Sequence, residues 1–177
     1  MNVLVPLAEG FEEIEALATV DILRRAGINT VTTGIPGTMV QGSRGIKVFA
    51  DKRLEDINFD EFDVLVLPGG NPGYMNLEKS NTIMDAIRKF DENGKTIAAI
   101  CMAPTLLAKA GVLEDRMATV YPGGERQLPK PREGKVVVDG HIITSQGPGT
   151  AIDFALKIVE TLMGPEKSDD VRRQLVY

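Results

Sequence analysis

Short runs of apolar residues recur along the chain, and most are followed by a stretch with helical periodicity. Apolar runs cover 3–7, 64–67 and 96–100, and a β-branched stretch covers 28–33. Helical patterns cover 12–25, 80–93, 102–109 and 150–163, and a last helix begins at Pro165. Strands that are apolar at every position must be covered on both faces. The alternation therefore predicts a parallel sheet between two layers of helices.

Less regular patterns fill the gaps between these elements. They predict a short hairpin within 38–56, a short strand at 117–120, and a tightly turned antiparallel pair at 136–138 and 142–144. The whole chain, 1–177, is then one domain. Its predicted class is an α/β/α three-layer sandwich with a mostly parallel sheet, doubly wound and flavodoxin-like.

The composition excludes several kinds of partner and site, and it indicates where the protein is located. With 43% hydrophobic and 25% charged residues, the 177-residue chain can bury a core without disulfides. A net charge of −5 argues against nucleic acid as a partner. One cysteine and one histidine exclude an intrachain disulfide, a cysteine-rich zinc site and any mechanism that needs two imidazoles. The sequence has neither a membrane-spanning run nor a secretory signal, so we expect a cytoplasmic protein.

The lone cysteine, Cys101, lies where this fold class binds ligands. It directly follows the apolar run 96–100 and precedes a predicted helix, and sites in parallel sheets lie beyond the carboxyl ends of strands. Amide groups and the helix dipole at that point predict a thiolate, with a pKa lowered to about 3.5–7.5. The alternative interpretation is a small buried hydrophobic residue.

Two further features could join Cys101 at the same edge. The glycine pair 69–70 follows a neighbouring strand, and its amides together with that of Met102 could form an oxyanion hole, or the pair could be only a turn. Glu12, Glu13 and Glu15 open the first helix, where acids are common partners of the helix dipole. One of them could face the cysteine, and a carboxyl beside a thiolate would have a raised pKa and act as an acid.

Other candidate residues carry weaker signals. His141 lies in the predicted turn and is expected to be solvated. Residues 145–150 offer amides at a helix start, which suit either an anion or a cap. Arg24, Arg25 and Arg44 are surface charges by default.

Four motifs in order along the chain resemble the DJ-1/ThiJ/PfpI family, in its DJ-1 and YajL branch. They are EGFEEIEALATVDILRRAGI, LPGGNPG, IAAICMAP and ITSQGPGTAIDFALKIVE. The resemblance spans essentially the whole chain and implies a flavodoxin-like homodimer. It implies that Cys101 is an oxidisable nucleophile and that Glu15 is the protonated carboxyl hydrogen-bonded to it.

The resemblance also implies roles for other residues around that pair. The amides of Gly70 and Met102 would line an anion pocket, and Arg44 would lie near it or at the interface together with Arg24 or Arg25 of the partner subunit. One position departs from the family pattern, because Tyr121 stands where many members carry a histidine. A tyrosine, with a pKa of ~10, is a poor base at neutral pH, which argues against a Cys-His protease or amidase.

The family resemblance implies three candidate functions for these residues. In the first, Cys101 adds to a reactive carbonyl such as a 2-oxoaldehyde, or to its glycated adduct, and Glu15 moves protons, as in glyoxalase or deglycase activity without a metal or organic cofactor. In the second, oxidation of Cys101 makes the protein a peroxide sensor or redox-regulated chaperone. A third, thiamine biosynthesis on a thiazole phosphate, has only 147–150 as a phosphate cradle. We expect a small carbonyl substrate and a homodimer, with no nucleic-acid or membrane partner.

Overall fold

The computed structural model describes residues 1–177, which form nine strands and six α-helices. The strands are β1 (Asn2–Ala8), β2 (Asn29–Ile35), β3 (Met39–Gln41), β4 (Lys47–Phe49), β5 (Lys52–Arg53), β6 (Val64–Leu67), β7 (Thr96–Ile100), β8 (Val136–Asp139) and β9 (Ile142–Ser145). The helices are α1 (Glu13–Arg25), α2 (Gly73–Glu78), α3 (Asn81–Glu92), α4 (Pro104–Lys109), α5 (Ala151–Met163) and α6 (Pro165–Leu175).

Seven of the strands form one central sheet in the order β5-β2-β1-β6-β7-β9-β8. All neighbours in it are parallel except β8, which runs antiparallel to β9 at one edge. The strands β3 and β4 form a separate antiparallel hairpin. The predicted mostly parallel α/β/α class is confirmed. The strand order reverses between β1 and β6, which marks the crevice beyond their carboxyl ends as the expected binding position.

Both faces of the sheet are buried under helices. In β6, Val64 and Val66 contact the core that α1, α5 and α6 share, whereas Leu65 and Leu67 contact the core that α2, α3 and α4 share. Successive side chains of a strand point to opposite faces, so a strand buried on both sides is apolar at every position. This double burial explains the unbroken apolar runs in the sequence.

The first turns of α1 depart from the usual amphipathic pattern, because two apolar residues are exposed and two acidic residues are buried. Ile14 and Leu17 are 55% and 37% exposed, whereas Glu13 and Glu15 are buried at 4% and 1%. The two carboxylates accept hydrogen bonds from distant backbone and side-chain groups, and those partners fix the rotation of the helix. Ile14 and Leu17 are turned outwards as a result, whereas the apolar residues later in the helix, such as Ile22 and Leu23, are buried as expected.

Three other elements also depart from the predictions. Residues 117–120 form no strand, because only Ala118 makes a bridge, to Pro131, and no sheet strand runs alongside. The helix after Cys101 begins at Pro104 rather than 102, and α2 was not predicted at all. None of the helices is long and apolar enough to cross a lipid bilayer.

Candidate active site at the carboxyl edge of the sheet

The loops that follow β1, β6 and β7 meet at one pocket of about 540 Å³. This pocket lies at the edge where the reversal of strand order predicts a ligand site. Residues from six separate segments line it: Glu12, Ser43, Arg44, Gly70, Asn71, Tyr74, Cys101, Met102, Tyr121 and Pro148.

Cys101 occupies a sharp turn between β7 and α4. Its φ of 65° is left-handed, which is unusual for a residue with a side chain and costs about 1–2 kcal/mol. The turn is held on both sides, because the Cys101 amide donates to the Ser145 carbonyl at 3.0 Å and its carbonyl accepts from the Tyr121 amide at 2.8 Å. The side chain is 8% exposed and lines the pocket. The elbow places the sulfur where a small substrate can reach it.

Glu15 reaches the same point from the first turn of α1. Its Oε2 accepts a hydrogen bond from the Gly69 amide at 2.8 Å, while the buried Oε1 has no hydrogen-bond partner of regular geometry. A β-carbon on Gly69 would lie 2.6 Å from Cβ of Cys101 and 2.8 Å from Oε2 of Glu15. Glycine at 69 therefore lets the carboxyl and the thiol approach each other.

Burial and mutual repulsion set the protonation of this pair. Burial raises the pKa of Glu15 to about 7. Burial also raises the pKa of Cys101, to about 12, and the neighbouring Glu15 carboxylate adds to the rise. The amides of Gly70 and Met102 donate to the sulfur and lower the pKa, but they do not offset these two effects.

Burial and the Glu15 carboxylate therefore oppose the resting thiolate that the sequence predicts at Cys101. The helix that was expected to stabilise it, α4, begins only at Pro104 and spans six residues, so its dipole is weak at the sulfur. Both effects favour a thiol beside a carboxylate above a pH of about 7. In this state Glu15 is placed as a base for the thiol proton.

The amides expected to form an oxyanion hole both lower the pKa of Cys101. Gly70 has a φ of +97°, and a β-carbon there would lie 2.3 Å from the Glu12 amide nitrogen. Only glycine fits this close approach. Together with Met102, Gly70 therefore gives the pocket two backbone donors next to Cys101.

Only one of the three arginines considered in the sequence analysis lies at the pocket of its own chain. Arg44 lines the pocket with Cys101. Arg24 pairs with Asp51 at 2.7 Å, and Arg25 pairs with Asp21 at 2.8 Å, and neither lines the pocket of its own chain.

Ser43 and Tyr74 line the pocket although the sequence did not single them out. Ser43 precedes Arg44 and Tyr74 lies four residues after Gly70, so nearness to those candidates was the available signal. Glu12 is the N-cap of α1 and accepts from the Glu15 amide at 2.8 Å. Tyr121 is 47% exposed at the pocket mouth.

The remaining candidates lie away from this chemistry. His141 is half-buried rather than solvated, because its Nε2 lies 2.8 Å from Oδ1 of Asp91, which also binds Arg116. It does not line the pocket, so no Cys-His dyad forms. The hydroxyl of Thr150 accepts from the Gly147 amide at 3.1 Å, which makes that segment a cap. No group of three or more His, Cys, Asp or Glu side chains could hold a metal ion.

Comparison with known proteins adds to this geometry. A model of the DJ-1/PfpI family matches residues 1–161. The Drosophila melanogaster "Protein dj-1beta" is 43% identical, with 99% of this chain and 96% of that protein covered. The Caenorhabditis elegans "Glutathione-independent glyoxalase DJR-1.2" is 36% identical over 98% and 94%. The structure of "Toxoplasma gondii DJ-1, oxidized" superimposes with a TM-score of 0.96 at 39% identity, over 99% and 98%.

Proposed function

The chain belongs to the DJ-1/PfpI family, and on this basis we propose that it is a stress-protective enzyme that hydrates reactive 2-oxoaldehydes or their glycated adducts. The observation that carries the proposal is the buried carboxyl of Glu15 beside the thiol of Cys101 in an open pocket. A relative of 36% identity is named a glutathione-independent glyoxalase, which supports the same chemistry.

The first step is addition of sulfur to the aldehyde. Above a pH of about 7 the Glu15 carboxylate takes the thiol proton as Sγ of Cys101 forms a bond to the aldehyde carbon. The carbonyl π-electrons move to oxygen, and Glu15 returns the proton to that oxygen. The product is a hemithioacetal, and the pair regains its charge of −1.

Isomerisation and hydrolysis complete the turnover. The Glu15 carboxylate removes the proton from the former aldehyde carbon, and a proton returns to the adjacent carbonyl carbon through an enediol. The result is a 2-hydroxy thioester on Cys101. Water then attacks the thioester and releases a 2-hydroxy acid and the thiol. The sum is one 2-oxoaldehyde plus one water giving one 2-hydroxy acid, without an external oxidant or reductant.

Two backbone amides stabilise the charged intermediates. The amides of Gly70 and Met102 already interact with the sulfur, and we expect them to donate to a tetrahedral or enediolate oxygen formed on the adduct. Such fixed donors require no reorganisation during the reaction, and each is typically worth 10²–10³ in rate. Tyr121 lines the pocket but is not needed as a base, since Glu15 fills that role.

The test is lactate formation from methylglyoxal by protein freed of metal. We expect turnover by the unchanged protein and loss of at least about 10³-fold in Cys101→Ala, because the nucleophile is removed. The variant His141→Gln is the matched control and should keep its activity, since this side chain does not line the pocket. Equal turnover by Cys101→Ala would overturn the proposal.

The exposed apolar residues support a homodimer as part of the proposal. Ile14 and Leu17 on α1 and Phe49 on β4 are 55%, 37% and 79% exposed. Exposed large apolar groups concentrated on neighbouring elements are typical of protein interfaces. Sedimentation should give a dimer for the unchanged chain and a monomer for Phe49→Arg. A monomeric unchanged chain would contradict the proposal.

An oxidative sensor is the second candidate, because a structure at 39% identity is described as oxidized. Two equivalents of peroxide would convert the thiol of Cys101 to a sulfinic acid, with release of two waters. The amides of Gly70 and Met102 are placed to hold the new oxygens, and the change in charge would switch a chaperone activity. Intact-mass analysis after mild peroxide should show a stable gain of two oxygens on Cys101. Oxidation confined to the seven methionines would contradict it.

A further inference from the structure

Glu13 is a buried carboxylate that the proposed chemistry does not use. It is 4% exposed, and its oxygens face the turn of the β3–β4 hairpin. Oε1 accepts from the Arg44 amide at 2.7 Å and the Ile46 amide at 3.3 Å, and Oε2 accepts from the Ser43 hydroxyl at 3.2 Å. One side chain of α1 thus satisfies three donors of a loop that lies some thirty residues away.

The loop is built around this carboxylate. A β-carbon on Gly42 would lie 2.3 Å from Oε1 of Glu13, so the backbone rests directly on the carboxyl group. The turn is closed by the Gly42 amide, which donates to the Ile46 carbonyl at 2.8 Å, and Gly45 adopts a φ of +90°. Burial alone would raise the pKa of Glu13, but the hydrogen bonds from the loop lower it, so the charged form is the one that holds the loop.

The loop carries the one cationic side chain of the pocket. Among the residues that line the pocket only Arg44 is positively charged. Its guanidinium makes no ion pair with any carboxylate of the chain. The Arg44 amide is nevertheless fixed by the short hydrogen bond to Glu13. The backbone is held while the charged end stays available to a ligand.

We propose that Glu13 is a positioning residue, which holds the 42–46 loop so that the guanidinium of Arg44 binds the oxygen atoms of the substrate over Cys101. The identity of the substrate rests on the proposed function, but the placement of Arg44 does not. Glu13 acts only through Arg44 and does not touch the reacting atoms.

Kinetics with methylglyoxal separate positioning from a general structural effect. We expect Arg44→Ala and Glu13→Gln each to raise KM by about 10-fold with kcat within about two-fold, because the lost group binds substrate through charge-assisted hydrogen bonds. The double variant should be no worse than Arg44→Ala alone, since Glu13 acts through that side chain. Multiplying effects in the double variant would overturn the proposal.

A second variant and a matched control guard against a folding artefact. Gly42→Ala displaces the carboxyl without changing any charge and should raise KM in the same way. Asp91→Asn weakens another part-buried carboxylate, which binds Arg116 and His141 away from the pocket. It should lower stability and leave KM unchanged. A raised KM in Asp91→Asn would show that any loosening suffices, which contradicts the proposal.

Alkylation of Cys101 tests the placement even if methylglyoxal is not a substrate. The sulfur displaces iodide from iodoacetate, an anion, or from iodoacetamide, its neutral analogue. We compare the rate with iodoacetate divided by the rate with iodoacetamide. This ratio should fall about 10-fold in both Arg44→Ala and Glu13→Gln, because Arg44 attracts the anionic reagent. Loss of a negative charge at Glu13 would by itself raise the ratio. An unchanged or raised ratio in Glu13→Gln would therefore overturn the positioning role, whereas absent turnover with a lowered ratio would overturn only the proposed function.

Discussion

Replacing Glu15 by glutamine should make the protein more stable than the unchanged chain, and the difference in stability should grow as the pH rises. The buried carboxyl has a pKa of about 7 against an ordinary value near 4.5, so the folded protein holds this proton more tightly than the unfolded chain does. The stability that comes from Glu15 is complete below about 4.5 and is lost as the pH rises through 7. Glutamine keeps an oxygen for the Gly69 amide and cannot ionise.

The magnitude follows from that difference in pKa. At 1.36 kcal/mol for each pKa unit, the ionised Glu15 lowers the free energy of unfolding by about 3 kcal/mol at pH 8. This is a large part of the ~5–15 kcal/mol that typically separates folded and unfolded states. Glu15→Gln should match the unchanged protein at pH 4.5 and exceed it by about 3 kcal/mol at pH 8, or on the order of 10 °C in Tm.

Urea denaturation between pH 4.5 and 8 measures this effect. The variant Glu13→Gln, on the same helix, provides the comparison with Glu15→Gln. Hydrogen bonds to its oxygens lower the pKa of Glu13 in spite of burial, so its stabilisation is present above its ordinary pKa and is lost in acid. Glu13→Gln should therefore lose about 2 kcal/mol at pH 8. If the stability of Glu15→Gln and of the unchanged protein ran parallel over this range, the account of the Cys101 pair would be refuted.

Three further outcomes follow from the site. The kcat/KM for methylglyoxal should rise about tenfold for each pH unit below about 7 and then level off, as Glu15 loses its proton and becomes the base; a flat initial-rate profile would exclude that role. Gly69→Ala should lower kcat/KM by about 10²-fold in the same assay, because the new methyl group forces Glu15 and Cys101 apart. His141→Gln should change kcat/KM less than about two-fold and cost no more than about 1 kcal/mol in urea denaturation, since its bond to Asp91 is half-buried and remote from the pocket.

The sheet and the position of Cys101 could be predicted because both leave a local signal. Double burial makes β6 and β7 apolar at every position, and a polar or reactive residue directly after such a run marks the carboxyl edge. The hairpin of β3 and β4 was signalled by its glycines, and Gly45 does adopt a positive φ there. The family resemblance selected Glu15 among three neighbouring acids, which periodicity does not do.

The failures concern interactions between distant parts of the chain. The buried face of α1 is set by two carboxylates, whose partners are the Gly69 amide and the 42–46 loop. These partners are distant in sequence, so the spacing of apolar residues within the helix does not reveal them. The ionisation of Cys101 depends on burial and on Glu15, which outweigh the local helix terminus on which the sequence argument rested. Tyr74 enters the pocket from α2, which the pattern did not predict.

The left-handed backbone at Cys101 lowers the stability of the fold at the same position that supplies the reactive sulfur. Glycine adopts this conformation without strain, so a chain with Cys101→Gly would gain back much of the steric energy and lose the sulfur.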